Sequence, residues 1–138
     1  MTERTGRCLC GAVTFKLTAE PIASRICWCK DCQHVSGNGT ANAVVPASGF
    51  EVKGVLTEYA SKAHSGNTIA RLFCPTCGGH VYGHTSARPE LRVVRLGALD
   101  DPSSIAPQQN IWTASAPSWA CLDPSLEQFT GQSAPPPK

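Results

Sequence analysis

Hydrophobic and polar positions alternate with period two in Ala12 to Thr18, where Val13, Phe15 and Leu17 fall on one face and Thr14, Lys16 and Thr18 on the other. That pattern predicts a half-buried strand, ended by Pro21. Further short apolar stretches predict strands at Thr40 to Val45, Phe50 to Val52, Leu56 to Ala60, Ile69 to Cys74, His80 to Gly83 and Leu91 to Leu96. Each is bounded by Gly, Pro, Ser or Asn, the residues that turn a chain. No window sustains an apolar 3.6-residue period long enough for a substantial helix. The best candidate is about two turns at Lys30 to Ser36, closed by Gly37. The expected fold is therefore all-β, with at most one short helix.

Composition sharpens this. Charged residues are 16% of the 138-residue chain, and 12 glycines and 11 prolines interrupt it, which suits short strands and turns. The length fits one domain, expected at residues 4–130, followed by a polar, Pro-rich tail at 131–138 expected to be frayed. No apolar run approaches the roughly 18–20 residues of a membrane span, and the start lacks a signal-peptide core. A cytoplasmic protein with no membrane partner is the expectation.

Eight cysteines in such a chain are anomalous, because a reducing cytosol disfavours disulfides and this length does not need them. Seven fall in three tight groups: Cys8-x-Cys10, Cys27-x-Cys29-x-x-Cys32 and Cys74-x-x-Cys77-Gly78. Close spacing lets one loop present two sulfurs to a single ion, and a following glycine permits the sharp turn. Two zinc ions are the expected cofactors. Seven thiolates and two divalent ions would turn the formal charge of +2 into −1, so the net charge does not argue for a nucleic-acid partner. The scattered Lys and Arg and the 7% aromatic content argue the same way. Thioredoxin-like chemistry would want a βαβ unit around a C-x-x-C, and none is visible.

The simplest arithmetic joins Cys8 and Cys10 to Cys74 and Cys77 in one closed four-cysteine site. Cys27, Cys29 and Cys32 then form a three-ligand site, whose open fourth position would make it catalytic unless Cys121, His34 or His80 closes it. Trp112 and Trp119 are candidate walls over that site or core residues. Cys121 reads as a small buried hydrophobe. His34 reads as a partly exposed helix residue or an acid–base group, and His64 and His84 as solvated turn residues. Asp100 and Asp101, before Pro102, suggest a turn or helix cap.

The blocks RCLCGAVTFK at Arg7 to Lys16, CWCKDCQHVSG at Cys27 to Gly37 and RLFCPTCGGHVY at Arg71 to Tyr82 resemble one family in order and spacing. So do LGALDDP at Leu96 to Pro102 and NIWTASAPSWACLD at Asn110 to Asp123. The sequence resembles the glutathione-dependent formaldehyde-activating enzymes, also called the centromere protein V or S-(hydroxymethyl)glutathione synthase family. The resemblance implies two small antiparallel sheets in a zinc-stapled β-tent, a Mss-four-like architecture. It further implies a structural zinc on Cys8, Cys10, Cys74 and Cys77 and a catalytic zinc on Cys27, Cys29 and Cys32. The implied activity is that of a carbon-sulfur lyase reversibly adding glutathione, or a similar thiol, to formaldehyde. A zinc-structured interaction module without chemistry is the alternative. The chain departs from the family pattern at Trp28, at Gln33 and His34, and at Asn110, where members commonly carry His or basic residues. Carboxylates of a tripeptide would need Arg or Lys partners, and Arg25 and Lys30 are the nearest in sequence.

Overall fold

A computed structural model describes residues 3–132. Twelve elements follow in order: β1 (Arg4–Arg7), β2 (Thr14–Leu17), β3 (Ala23–Cys27), α1 (Lys30–Ser36), β4 (Thr40–Pro46), β5 (Phe50–Lys53), β6 (Thr57–Lys62), β7 (Thr68–Phe73), β8 (His80–Thr85), β9 (Leu91–Arg95), β10 (Gln109–Ile111) and β11 (Glu127–Gln128). Several one-turn 3-10 segments punctuate the loops. The protein is mainly β, as its periodicity predicts. The helix falls where expected, and Gly37 ends it with φ of 79°, a left-handed conformation that costs glycine little.

The strands form two sheets. The smaller is β1-β2-β5, and the larger runs β11-β10-β3-β4-β9-β8-β7-β6. The larger sheet is bigger than the expected small antiparallel one, and β10 pairs in parallel with both β3 and β11. β1, β3, β10 and β11 lie outside the predicted strands. Their sequences, RTGR, ASRIC, QNI and EQ, carry no apolar alternation, so their pairing comes from the neighbouring strands.

The core lies between the sheets. Val13, Phe15 and Leu17 from the β2 segment pack with Ala43, Val45 and Val94 of the larger sheet, and loop residues Leu96, Leu99 and Ile105 complete the cluster. Burying each large side chain contributes roughly 1.5–3 kcal/mol. Phe50 bridges the layers, its ring 5.7 Å from Phe15 and 4.7 Å from Tyr82. Gly6 faces Phe15 across β1–β2, and a Cβ there would run into the Phe15 ring and the Ala98 carbonyl. Gly6→Ala is expected to cost about 1–3 kcal/mol through overpacking, readable as a lower midpoint in urea unfolding.

At the C-terminal end, the Trp112 N–H donates to Gly131 O and the Trp112 indole N–H to Gln132 Oε1, so the chain stays attached through Gln132. The rest of the tail expectation concerns residues 133–138, which lie outside the described residues. Among the described residues, no helix is long and apolar enough to cross a membrane.

Candidate metal centres

Antiparallel pairing brings distant chemistry to one end of the larger sheet. β3, β7 and β9 terminate there while β4 and β8 begin. Cys27, Thr40, Arg95 and His80 occupy those strand ends, and Cys74 follows the end of β7.

The first centre gathers Cys8, Cys10, Cys74 and Cys77, whose sulfurs all lie within 4.8 Å of one another. The Cys8–Cys10 and Cys10–Cys74 Sγ separations are both 3.7 Å. Four sulfurs placed about 2.3 Å from a tetrahedral ion would be about 3.8 Å apart, so the donor set fits zinc in distance and chemistry. Two hairpin knuckles supply it. Gly11 and Gly78 take φ of 82° and 75° directly after their cysteines. Their N–H groups donate to the carbonyls of Cys8 (3.2 Å) and Cys74 (2.8 Å), folding each loop back on itself. Backbone N–H groups then donate to sulfur, Val13 to Cys8 (3.3 Å), Thr76 to Cys74 (3.4 Å) and Gly79 to Cys77 (3.4 Å). At Cys8 and Cys77 such donors favour thiolate over thiol. Cys8 and Cys74 also belong to the hydrophobic core, so this centre is continuous with the packing between sheets.

The second centre holds Cys27, Cys29 and Cys32, again with sulfurs within 4.8 Å. Among the described residues no fourth Cys, His, Asp or Glu completes it. Cys27 ends β3, Cys29 caps α1 by accepting the Cys32 N–H at 3.3 Å, and Cys32 lies on the buried side of the first turn. The Cys27 thiol bonding to Cys29 holds Cys29 well below the usual thiol range, with Cys32, the Cys32 N–H and the Arg71 charge adding to it against burial. Donation to Cys29 and Cys32, together with burial, pushes Cys27 far above that range. Ile111, Trp112 and Phe129 pack against the group and give it an apolar wall.

Of the residues weighed as closing ligands, His34 is exposed and Cys121 is exposed. Cys121 is thus not the buried hydrophobe expected of it. It follows Trp119 in an irregular segment running over the surface, where the sheets provide no interior to enter. Trp119 is 66% exposed, so only Trp112 of the two candidate walls lies on the cysteine centre. Trp119 and Cys121 instead line a small pocket of about 330 Å³ with Ile26 and Trp28. His84 lies within β8 rather than in a turn, with Nε2 3.9 Å from Glu58. Asp101 caps a 3-10 turn by accepting the Ser103 N–H, and Asp100 accepts from the Thr5 hydroxyl at 2.6 Å, as their turn context suggests.

The positions that depart from the family pattern are built into the scaffold. The Trp28 indole N–H donates to Asn110 Oδ1 at 3.3 Å, with both side chains buried. Gln33 Nε2 donates to the carbonyls of Trp28 (2.7 Å) and Ser115 (2.9 Å). These contacts tie the cysteine loop to β10 and the segment beyond it.

Tertiary structure also brings Arg71 and Arg95, which sequence proximity to the cysteines does not reveal, onto the face that carries Arg25. Arg25, Asn42 and Arg95 are direct cross-strand partners on β3, β4 and β9. Through Gly83 and Val93, Arg71 lies on the same face. That face also carries Cys27, two residues from Arg25. Arg71 is 7% exposed, and burial pulls both Arg25 and Arg95 below the usual guanidinium range while nearby thiolates pull them back. Their sequence signal is an arginine inside an otherwise apolar strand, in RLF and LRVVR, since buried charge needs a partner or a function.

Comparison with known proteins places the chain among relatives. A family model described as "Glutathione-dependent formaldehyde-activating enzyme" matches residues 3–115. A crystal structure of a Rhodobacter sphaeroides protein, a structural-genomics target, is 27% identical with a TM-score of 0.58, covering 72% of this chain and 93% of that one. No curated protein matches the sequence.

Proposed function

The chain belongs to the glutathione-dependent formaldehyde-activating enzyme family, and on that premise we propose that it reversibly adds a thiol to formaldehyde or another small aldehyde at a zinc held by Cys27, Cys29 and Cys32. The observation that carries this reading is the incomplete ligand set of the second centre beside the complete set of the first. Three protein ligands leave room for a reactant, whereas four make a structural staple. Zinc, when bound there, supplies a Lewis acid that favours a bound thiol as thiolate or polarises a carbonyl oxygen.

The surrounding residues set the conditions for that chemistry. α1 and the β3 end hold the three sulfurs on a six-residue loop, and Trp28, Gln33 and Asn110 fix that loop to β10. Ile111, Trp112 and Phe129 keep water from one side. Arg71 and the other guanidiniums on the sheet face favour anionic sulfur near them. The addition itself is redox-neutral. The sulfur forms a bond to the carbonyl carbon, the carbonyl π pair moves to oxygen, and the proton leaving sulfur ends on the new hydroxyl. Binding both reactants in one place supplies proximity, and the cytoplasm is the expected setting for such small-molecule partners.

The zinc-loaded protein, incubated with formaldehyde and glutathione or other thiols, is expected to accelerate exchange between free aldehyde and adduct, read as exchange broadening or saturation transfer by NMR. No acceleration with any thiol, in protein retaining two metals per chain, would favour the alternative of a zinc-structured interaction module.

A further inference from the structure

A cleft of about 690 Å³ opens at the same end of the larger sheet, between the first cysteine knuckle and α1. Arg7, Cys8, Ser36, Thr40, His80 and Arg95 are among its walls. It adjoins the second centre through shared scaffold: Thr40, in its wall, is the cross-strand partner of Cys27, and the Thr40 and Ser36 hydroxyls both donate to Cys32 O, at 3.1 and 2.9 Å.

The polar groups of this cleft are unbalanced. Arg95 Nη1 donates to the neutral Asn42 Oδ1 at 2.6 Å, while its buried Nε has no hydrogen-bond partner among the described residues. The buried Nδ1 of His80 has none either. Arg7 is spent on two carbonyls, those of Cys8 (3.2 Å) and Leu9 (2.7 Å), so no carboxylate offsets its charge there. Asp100, the acidic residue in the lining, is engaged by Thr5. A buried cationic donor left unpaired is costly, and a planar guanidinium is matched in shape and charge by a carboxylate.

We propose that Arg95, with His80 beside it, anchors a carboxylate of the substrate in this cleft and so selects acidic thiols over neutral ones. The inference rests on the thiol–aldehyde reading and assigns a specificity residue to it. Arg95 suits the task because it reaches both regions. It lines the cleft, and through its cross-strand partner Asn42 it shares a sheet face with Cys27, so a carboxylate bound there leaves a thiol a few bonds away near the second centre. His80 is pushed below its ordinary value by burial and then by Arg95 and Arg71, which leaves it neutral at pH 7 and able to donate one N–H.

The test compares 3-mercaptopropionate with its neutral amide, 3-mercaptopropionamide, as ligands of the zinc-loaded protein by titration calorimetry, with thiol–formaldehyde exchange followed in parallel. The acid is expected to bind roughly ten- to hundredfold more tightly than the amide, as a charge-assisted anchor gives. In Arg95→Gln that ratio should collapse toward one, and in Arg95→Lys, which keeps the charge and loses the planar fork, it should be reduced but retained. Equal binding of acid and amide to the wild type would overturn the anchor while leaving the thiol reading intact. An undiminished ratio in a folded variant would overturn it too. If neither thiol binds, the functional reading falls and the anchor with it. Should Arg95→Gln fail to fold, the wild-type ratio and Arg95→Lys still decide.

Discussion

Cys74→Ser is expected to abolish soluble folded protein. Cys74 is fully buried, joins the core between the sheets and stands 64 positions from Cys10, whose sulfur it meets at 3.7 Å. A closed four-cysteine zinc contributes about 10–16 kcal/mol in small zinc domains, against a total domain stability of about 5–15 kcal/mol. Losing one ligand of such a centre can therefore remove most of the margin. The seryl oxygen would also leave the Thr76 N–H, now 3.4 Å from sulfur, with a changed acceptor. Soluble yield, thermal melting by circular dichroism and metal content measure the effect. Wild type should carry two zinc ions per chain. A variant that melts like wild type with both metals would show that this centre does not staple the fold.

Cys29→Ser should divide the two roles. Thiol–aldehyde exchange is expected to fall by more than about a hundredfold, beyond the 10- to 100-fold typical of losing an outer-shell partner of a metal site, and the second zinc should be lost or weakened. Stability should suffer much less than in Cys74→Ser. Serine is a preferred helix cap, so the Cys32 N–H keeps an acceptor at the start of α1. The second centre ties together only residues 27–32, and closing so short a loop constrains little of the unfolded chain. The comparison needs both variants' exchange rates and melting temperatures. Wild-type exchange in Cys29→Ser, together with equal destabilisation by the two substitutions, would remove the division between structural and catalytic centres.

Much of the site was legible because its chemistry is local. Cys27-x-Cys29-x-x-Cys32 needs only one loop and one helical turn to converge, and Cys74-x-x-Cys77-Gly78 carries in its glycine the turn its knuckle requires. Joining Cys8 and Cys10 to Cys74 and Cys77 is the simplest arithmetic, since two pairs complete a tetrahedron and leave the triplet whole, and the structure gathers the same four. Cys121 escaped the same logic. Burial of a lone cysteine depends on which way its loop runs, and nothing local decides that.

Local pattern accounts for the buried row Val13, Phe15 and Leu17 along the β2 segment, and a stop at Gly37 for the helix at Lys30–Ser36. Solvent exclusion from one face of a strand imposes that pattern locally, so it can be read without knowing the neighbours. Where polar strands such as QNI and RTGR pair is set by the assembled sheet, because backbone hydrogen bonds make a strand of any residue that a neighbouring edge accepts. It alone also brought Arg25, Arg71 and Arg95 onto one face beside the thiols, and Arg95 and His80 onto one cleft. Those residues come from separate strands, and the register between strands is set by packing and turns across the whole sheet rather than by any segment's own composition.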